Sequence, residues 1–143
     1  MRPPALLKYW LPVFAVMGFI YWMSTSVFTS AMTFALIRSV VDFFHPFTSG
    51  RELRRLNDAV RKSAHVFEYF ILGLMLFRAF RGGGKKGLFR CAVFSVLAVA
   101  FYAFTDEFHQ LFVPGRGGGE IMDVGIDTMG GVLAQIVSVL RLR

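Results

Sequence analysis

A single cysteine, Cys91, stands in a chain of 143 residues. It cannot close an intrachain disulfide and offers no Cys-x-x-Cys pair, so disulfide scaffolds, zinc ribbons and thioredoxin-like redox chemistry are excluded. The fold must hold together by packing. Charge is also scarce: only 17% of the residues are charged, against roughly 25% in soluble domains. Acidic residues number nine and basic residues sixteen, and the basic ones lie in short clusters between apolar runs rather than along one face. That distribution argues for membrane topology and against nucleic acid as a partner. With 55% hydrophobic residues and a mean hydropathy of +0.56, the chain needs long apolar stretches that meet lipid, and disorder is excluded.

Four such stretches are present. The sequence predicts transmembrane helices over about 9–27, 64–80, 91–113 and 121–140, each long enough at about 1.5 Å per residue to cross most or all of a hydrocarbon core roughly 30 Å thick. Tyr9, Trp10, Tyr21 and Trp22 sit toward the ends of the first, where aromatic rings favour the interface. No clear A-x-A site follows that run and later spans are present, so a retained helix is expected rather than a cleaved signal peptide. Between the first two spans, Phe28, Met32, Ala35, Leu36, Val40 and Phe43 recur at helical spacing until His45-Pro46 ends the pattern. This reads as an amphipathic interfacial helix on the outer side. A polar stretch from Arg51 to Lys62 is expected to run directly into the second span, with Asp58 as a local cap.

With the N-terminus inside, nine basic residues (Arg2, Lys8, Arg78, Arg81, Lys85, Lys86, Arg90, Arg141 and Arg143) fall on the cytoplasmic side and none of the acidic ones. Seven basic residues and all nine acids fall on the other. The basic bias and the position of these residues beside span ends place both termini in the cytoplasm. The expected architecture is therefore a single all-α domain over 1–143, an integral bundle of four transmembrane helices with an additional outer interfacial helix, in the plasma (inner) membrane.

The informative residues lie near the outer ends of the spans. Span two opens with Arg61, Lys62, His65, Glu68 and Tyr69; span three closes with Asp106, Glu107, His109 and Gln110; span four opens with Asp123 and Asp127. An ionisable side chain at mid-membrane costs about 2.5–3.5 kcal/mol, so these groups must converge on one another or on water. Helical spacing allows it: Lys62, His65 and Tyr69 share a face, Asp106 faces with His109 and Gln110, and Asp123 stacks over Asp127. Antiparallel connections bring the three polar faces to one depth, which predicts a polar cavity open to the outside.

Several uses of such a cavity remain open. The charges can form a structural ion-pair network that fixes helix register. The acid and imidazole pairs His65/Glu68 and Asp106/His109, completed by Asp123 and Asp127, have a spacing that suits a shared divalent cation in a hydrolase or transferase; no H-E-x-x-H is present and the metal is not required, since the same groups can serve as general acid and base. A proton or ion path is weakly supported, because the cytoplasmic halves of the spans are almost wholly apolar apart from Arg78. Finally, Arg61, Lys62 and Arg116 can hold an anionic envelope component. The loop from Val113 to Glu120 is either a glycine nest that receives phosphate beside Arg116 or a tight turn whose Glu120 and Asp123 complement the helix dipole. Arg81 to Gly87 lacks the order of a phosphate-binding P-loop and reads as a cytoplasmic turn attracted to anionic lipid. Gly130 and Gly131 allow close helix approach within the bundle or between protomers.

Three segments carry a resemblance: Arg61-Lys62-Ser63-Ala64-His65-Val66-Phe67-Glu68-Tyr69, the run from Thr105-Asp106-Glu107-Phe108-His109-Gln110 to Pro114-Gly115-Arg116, and Asp123-Val124-Gly125-Ile126-Asp127-Thr128-Met129-Gly130-Gly131. Together they cover most of residues 55–135, and the chain resembles the VanZ-like membrane proteins associated with teicoplanin resistance. The resemblance implies a small multi-pass plasma-membrane protein linked to the cell envelope, in some members to lowered sensitivity to teicoplanin, and it implies no particular reaction. Its signature falls on Lys62, His65, Glu68, Tyr69, Asp106, Glu107, His109, Gln110, Arg116, Asp123 and Asp127. The resulting expectation is an outer-leaflet pocket that binds or modifies an anionic lipid or lipid-linked envelope precursor. In a catalytic version His65, Glu68, Asp106, Glu107, His109 and Asp127 do acid, base or cation work, while Arg61, Lys62, Tyr69, Gln110, Arg116 and Asp123 bind.

Overall fold

The computed structural model describes residues 5–45, 48–84, 87–114 and 119–142, with no account of the side chains at 5, 6 and 28. Those residues form five α-helices, α1 (Ala5–Met23), α2 (Ser30–Phe44), α3 (Gly50–Arg81), α4 (Leu88–Gln110) and α5 (Ile121–Leu140), with a short 3₁₀ turn at Ser26–Phe28 between the first two. No strand occurs among them. α3, α4 and α5 are long and apolar enough to cross a membrane. α1 is apolar but shorter, its apolar stretch running over Leu7–Met23 and ending there rather than at 27. The chain turns there because Ser24 N–H bonds back to the carbonyls of Ile20 and Tyr21 while Thr25 Oγ1 donates to the Trp22 carbonyl at 2.7 Å, a local alternative to another helical turn.

α3 is the hub, packing against α1, α2, α4 and α5. It is one helix of 32 residues, so the polar stretch and the apolar span are continuous as expected. The cap is not Asp58, which lies inside the helix. Ser49 opens it: its hydroxyl accepts from Glu52 N–H at 3.3 Å and Glu52 Oε2 accepts from Ser49 N–H at 3.1 Å, a reciprocal capping box. Asp58 has no helix start to cap because the chain is already helical from Gly50. At the far end Gly82, with φ 55° and ψ 26°, takes the left-handed conformation that ends the helix without a Cβ clash. α4 ends at Gln110, three residues before the expected 113, where Phe112 and Val113 N–H bond to the His109 and Gln110 carbonyls in tighter turns.

Close approach of α5 to α3 sets the geometry of the bundle. A Cβ on Gly130 would collide with the Val66 carbonyl oxygen and lie 3.1 Å from Phe70 N. Farther along the same seam, Gln135 Nε2 donates to the Gly73 carbonyl at 3.2 Å. The small residues of α5 therefore serve packing inside the bundle. α1 is fastened in two places. Pro12 has no N–H to give the Lys8 carbonyl, and Arg78 Nη2 reaches that carbonyl at 3.5 Å; nearer the other end, Tyr102 Oη donates to the Met17 carbonyl at 2.6 Å. The core joins Val13 and Ile20 of α1 to Tyr69, Leu72 and Leu76 of α3 and Val99 and Ala103 of α4.

The outside of the bundle is apolar. On α4, Phe94, Leu97, Phe101, Phe104 and Phe108 form an exposed stripe at helical spacing, and Phe101 is 71% exposed. A stripe of this kind on a helix of membrane length is suited to contact lipid. α2 buries none of its residues and exposes Met32, Leu36, Val40 and Phe43, the apolar positions of the expected interfacial helix.

Candidate functional site

At one end of the bundle a chamber of about 330 Å³ opens among α3, α4 and α5. α3 supplies Asp58, Arg61, Lys62 and His65, which at i, i+3, i+4 and i+7 share one face. Glu107 and Gln110 come from the last turn of α4; Glu120, Asp123 and Asp127 come from the start of α5. Antiparallel connection of three helices thus brings polar faces to one depth, as the charge placement predicted.

One ion pair and one imidazole–carboxyl contact tie the walls. Lys62 Nζ donates to Asp123 Oδ1 at 2.7 Å on the half-exposed rim. His65 Nδ1 lies 3.7 Å from Asp127 Oδ1, whose residue is only 1% exposed. Glu107 reaches toward the α4–α5 connection, where its Oε2 accepts from Gly119 N–H at 2.8 Å. Asp127 Oδ2 has no hydrogen-bond partner among the described residues. A buried carboxylate oxygen left open is costly, and water or ligand is its natural partner.

Not every predicted residue joins the chamber. Asp106 turns toward α1, where its Oδ2 accepts from Ser24 Oγ at 2.9 Å and from Gln110 Nε2 at 2.8 Å; Gln110 Nε2 also donates weakly to Ser24 Oγ at 3.4 Å. Asp106 therefore stands behind the wall, touching the chamber through Gln110. His109 stacks on Tyr21 of α1, with ring centroids 4.7 Å apart. Tyr69 is fully buried beneath the chamber, near Tyr102, and its hydroxyl has no hydrogen-bond partner among the described residues. Glu68 borders a second, apolar cleft between α2 and α3 instead. Arg116 and most of its glycine loop lie outside the described residues.

This dispersal bears on the cation reading. Glu68 lies off the chamber that His65 lines, although both border the α2–α3 cleft, and Asp106 and His109 meet different partners, Ser24 just past the end of α1 and Tyr21 within it. Among the described residues, no group of three or more His, Cys, Asp or Glu is arranged to hold a metal ion. The chamber's own carboxylates suit proton transfer and hydrogen bonding to a polar head.

Three participants were not singled out as site residues. Asp58 and Glu120 line the chamber, and Asp58 was visible in the i, i+3, i+4, i+7 series that it starts. Ser24 carried no signal, because an uncharged hydroxyl in an apolar run resembles ordinary span composition. A family model described as VanZ/LLP1 matches residues 9–142. No curated protein and no solved structure matches the chain.

Proposed function

The chain belongs to the VanZ/LLP1 family, and from that premise we propose a four-span protein of the plasma membrane, both termini cytoplasmic, whose chamber faces the outer leaflet and binds or modifies a lipid or lipid-linked envelope precursor. In this reading α1 is the fourth span, completed through its attachments to α3 and α4. The orientation draws on the basic residues at the end opposite the chamber, Lys8, Arg78, Arg81, Arg90 and Arg141, which favour the cytoplasmic face. In the members that lower teicoplanin sensitivity, the same chamber would act on the envelope component that the antibiotic needs.

The observation that carries the reading is a polar chamber built into helices of membrane length, beside an exposed apolar surface. A ligand reaching it from the bilayer is an amphiphile. Arg61 forms no ion pair among the described residues and presents a fork suited to phosphate, which supports an anionic group in the head. Around it, Asp58, Glu107, Glu120, Asp123 and Asp127 outnumber Arg61 and Lys62. The head that fits both facts combines a phosphate with hydroxyl or ammonium donors. In a catalytic version Glu107 and Asp127 are the acid and base, and Asp106 is a positioning residue acting through Gln110.

The test is native mass spectrometry of the detergent-solubilised protein offered phosphatidylglycerol, a polyprenyl diphosphate and phosphatidylcholine. Retention of an anionic lipid at least tenfold above phosphatidylcholine, lost in Arg61→Ala, is the expected result. Equal retention of all three, or indifference to Arg61→Ala, would sink the reading. If the protein modifies its ligand, Asp127→Asn keeps the bound lipid and abolishes the mass change seen with the wild type. Teicoplanin sensitivity of cells expressing wild type and Arg61→Ala then checks the link to the antibiotic.

A further inference from the structure

Beside the chamber, between α2 and α3, lies an apolar cleft of about 160 Å³ walled by Met32, Leu36, Val60 and Ala64. Its remaining lining includes Arg61 and His65, and these two residues also line the chamber. The two cavities therefore meet across one turn of α3, one polar and one apolar. The start of α2 is pinned by Asn57 Nδ2, which donates to Ser30 Oγ at 3.1 Å; beyond that point α2 leaves Met32 and Leu36 partly exposed above the cleft.

We infer that the ligand's head occupies the chamber while its first hydrocarbon chain runs through the α2–α3 cleft, the two parts bridged at Arg61 and His65. The inference rests on the proposed lipid-binding reading and adds to it the path of the chain and the role of α2. A chain moving from the bilayer into this cleft exchanges one apolar surrounding for another and gains little affinity from burial. The cleft thus acts by position: it fixes where the head–chain junction sits relative to Arg61, and it selects ligands with a chain attached beside the charged group. α2 is the chain's outer wall.

Two photoreactive phosphatidylglycerols test this in nanodiscs of phosphatidylcholine, one with a diazirine on the glycerol head and one with it on the first carbons of the acyl chain. Crosslinked peptides are mapped by mass spectrometry. The head probe should label the chamber around Lys62 and His65, and the chain probe should label Met32, Leu36 and Val60 above the lipid-facing stripe at Phe101 and Phe104. Arg61→Ala should lower both signals about tenfold or more, as expected for loss of a charge-assisted contact. Leu36→Trp, which fills the cleft at an exposed position, should lower chain labelling and leave head labelling intact. If the head probe labels the chamber while the chain probe labels the cleft no more than the Phe101 stripe, the inference is overturned and the lipid reading stands. If the head probe does not label the chamber at all, both fall together.

Discussion

Gly130→Ala adds one methyl group where α5 touches the backbone of α3. The new Cβ would overlap the Val66 carbonyl oxygen and come within 3.1 Å of Phe70 N and 3.2 Å of Val66 C. These are backbone atoms of a helix, so no side chain can swing aside. Reaching ordinary contact near 3.5–4 Å requires the helices to separate by roughly 1 Å. Such overpacking typically costs about 1–3 kcal/mol, and separation also stretches the Gln135–Gly73 hydrogen bond, now 3.2 Å. Alanine's better helix propensity returns up to about 1 kcal/mol. The net expectation is a loss of about 1–2 kcal/mol, or a fall in Tm of roughly 3–8 °C for a chain of this size. Gly125→Ala supplies the control on the same helix, because nothing lies within 4 Å of its Cβ position. It should hold or raise Tm. The assay is thermal unfolding in detergent, with monodispersity checked before each scan. If Gly130→Ala proved as stable as Gly125→Ala, the close α3–α5 seam, and the depth at which Asp127 meets His65, would be refuted.

Three further outcomes follow from contacts elsewhere. Ser24→Ala removes a buried donor to the Asp106 carboxylate and should lower stability by about 1–2 kcal/mol, within the range for intramembrane hydrogen bonds and those to charged groups; an unchanged unfolding midpoint would show that Asp106 does not rely on α1. Pro12→Ala restores the N–H that can bond to Lys8 O, so Arg78→Ala should cost at least about 0.5 kcal/mol less in that background than alone; strict additivity in the double-mutant cycle would dissociate Arg78 from the proline. At the polar start of α3, outside its apolar span, the Ser49 hydroxyl and backbone N–H hold the fully exposed Glu52 carboxyl below its usual pKa. A carboxyl lowered in the folded state stabilises above its unfolded pKa, and the stabilisation is lost as pH falls through the folded value. A spin label at Arg51 should therefore loosen on acidification, and Glu52→Gln should abolish that pH dependence; identical titrations of the two proteins would argue against the cap.

The helices and the chamber were legible because both depend on large energies. An apolar run long enough to cross a bilayer has few other uses, and Lys62, His65, Glu107, Asp123 and Asp127 inside such runs had to find one another. What stayed hidden depended on how neighbouring helices rotate. Asp106 and His109 share a face of α4 with Gln110 on the basis of spacing alone, yet α1 lies alongside and takes Asp106 with Ser24 and His109 with Tyr21. Glu68 was assigned to the chamber through its i, i+3 spacing from His65, but the offset of about 60° between such positions leaves His65 touching both cavities and Glu68 only the one beside α2. The Asp58 cap failed for a simpler reason: Ser49 and Glu52 form a complete capping box nine residues earlier, and once helix has started there a mid-helix Asp is only a side chain.

The Ser24–Asp106 hydrogen bond joins residues 82 positions apart. During synthesis at about 5–20 residues per second, the serine would emerge roughly 4–16 s before its acceptor. Through that interval the serine lacks its acceptor, although α3, against which α1 also packs, is made before α4. The polar contact between the end of α1 and α4 is thus deferred until α4 arrives, after α3 and before α5.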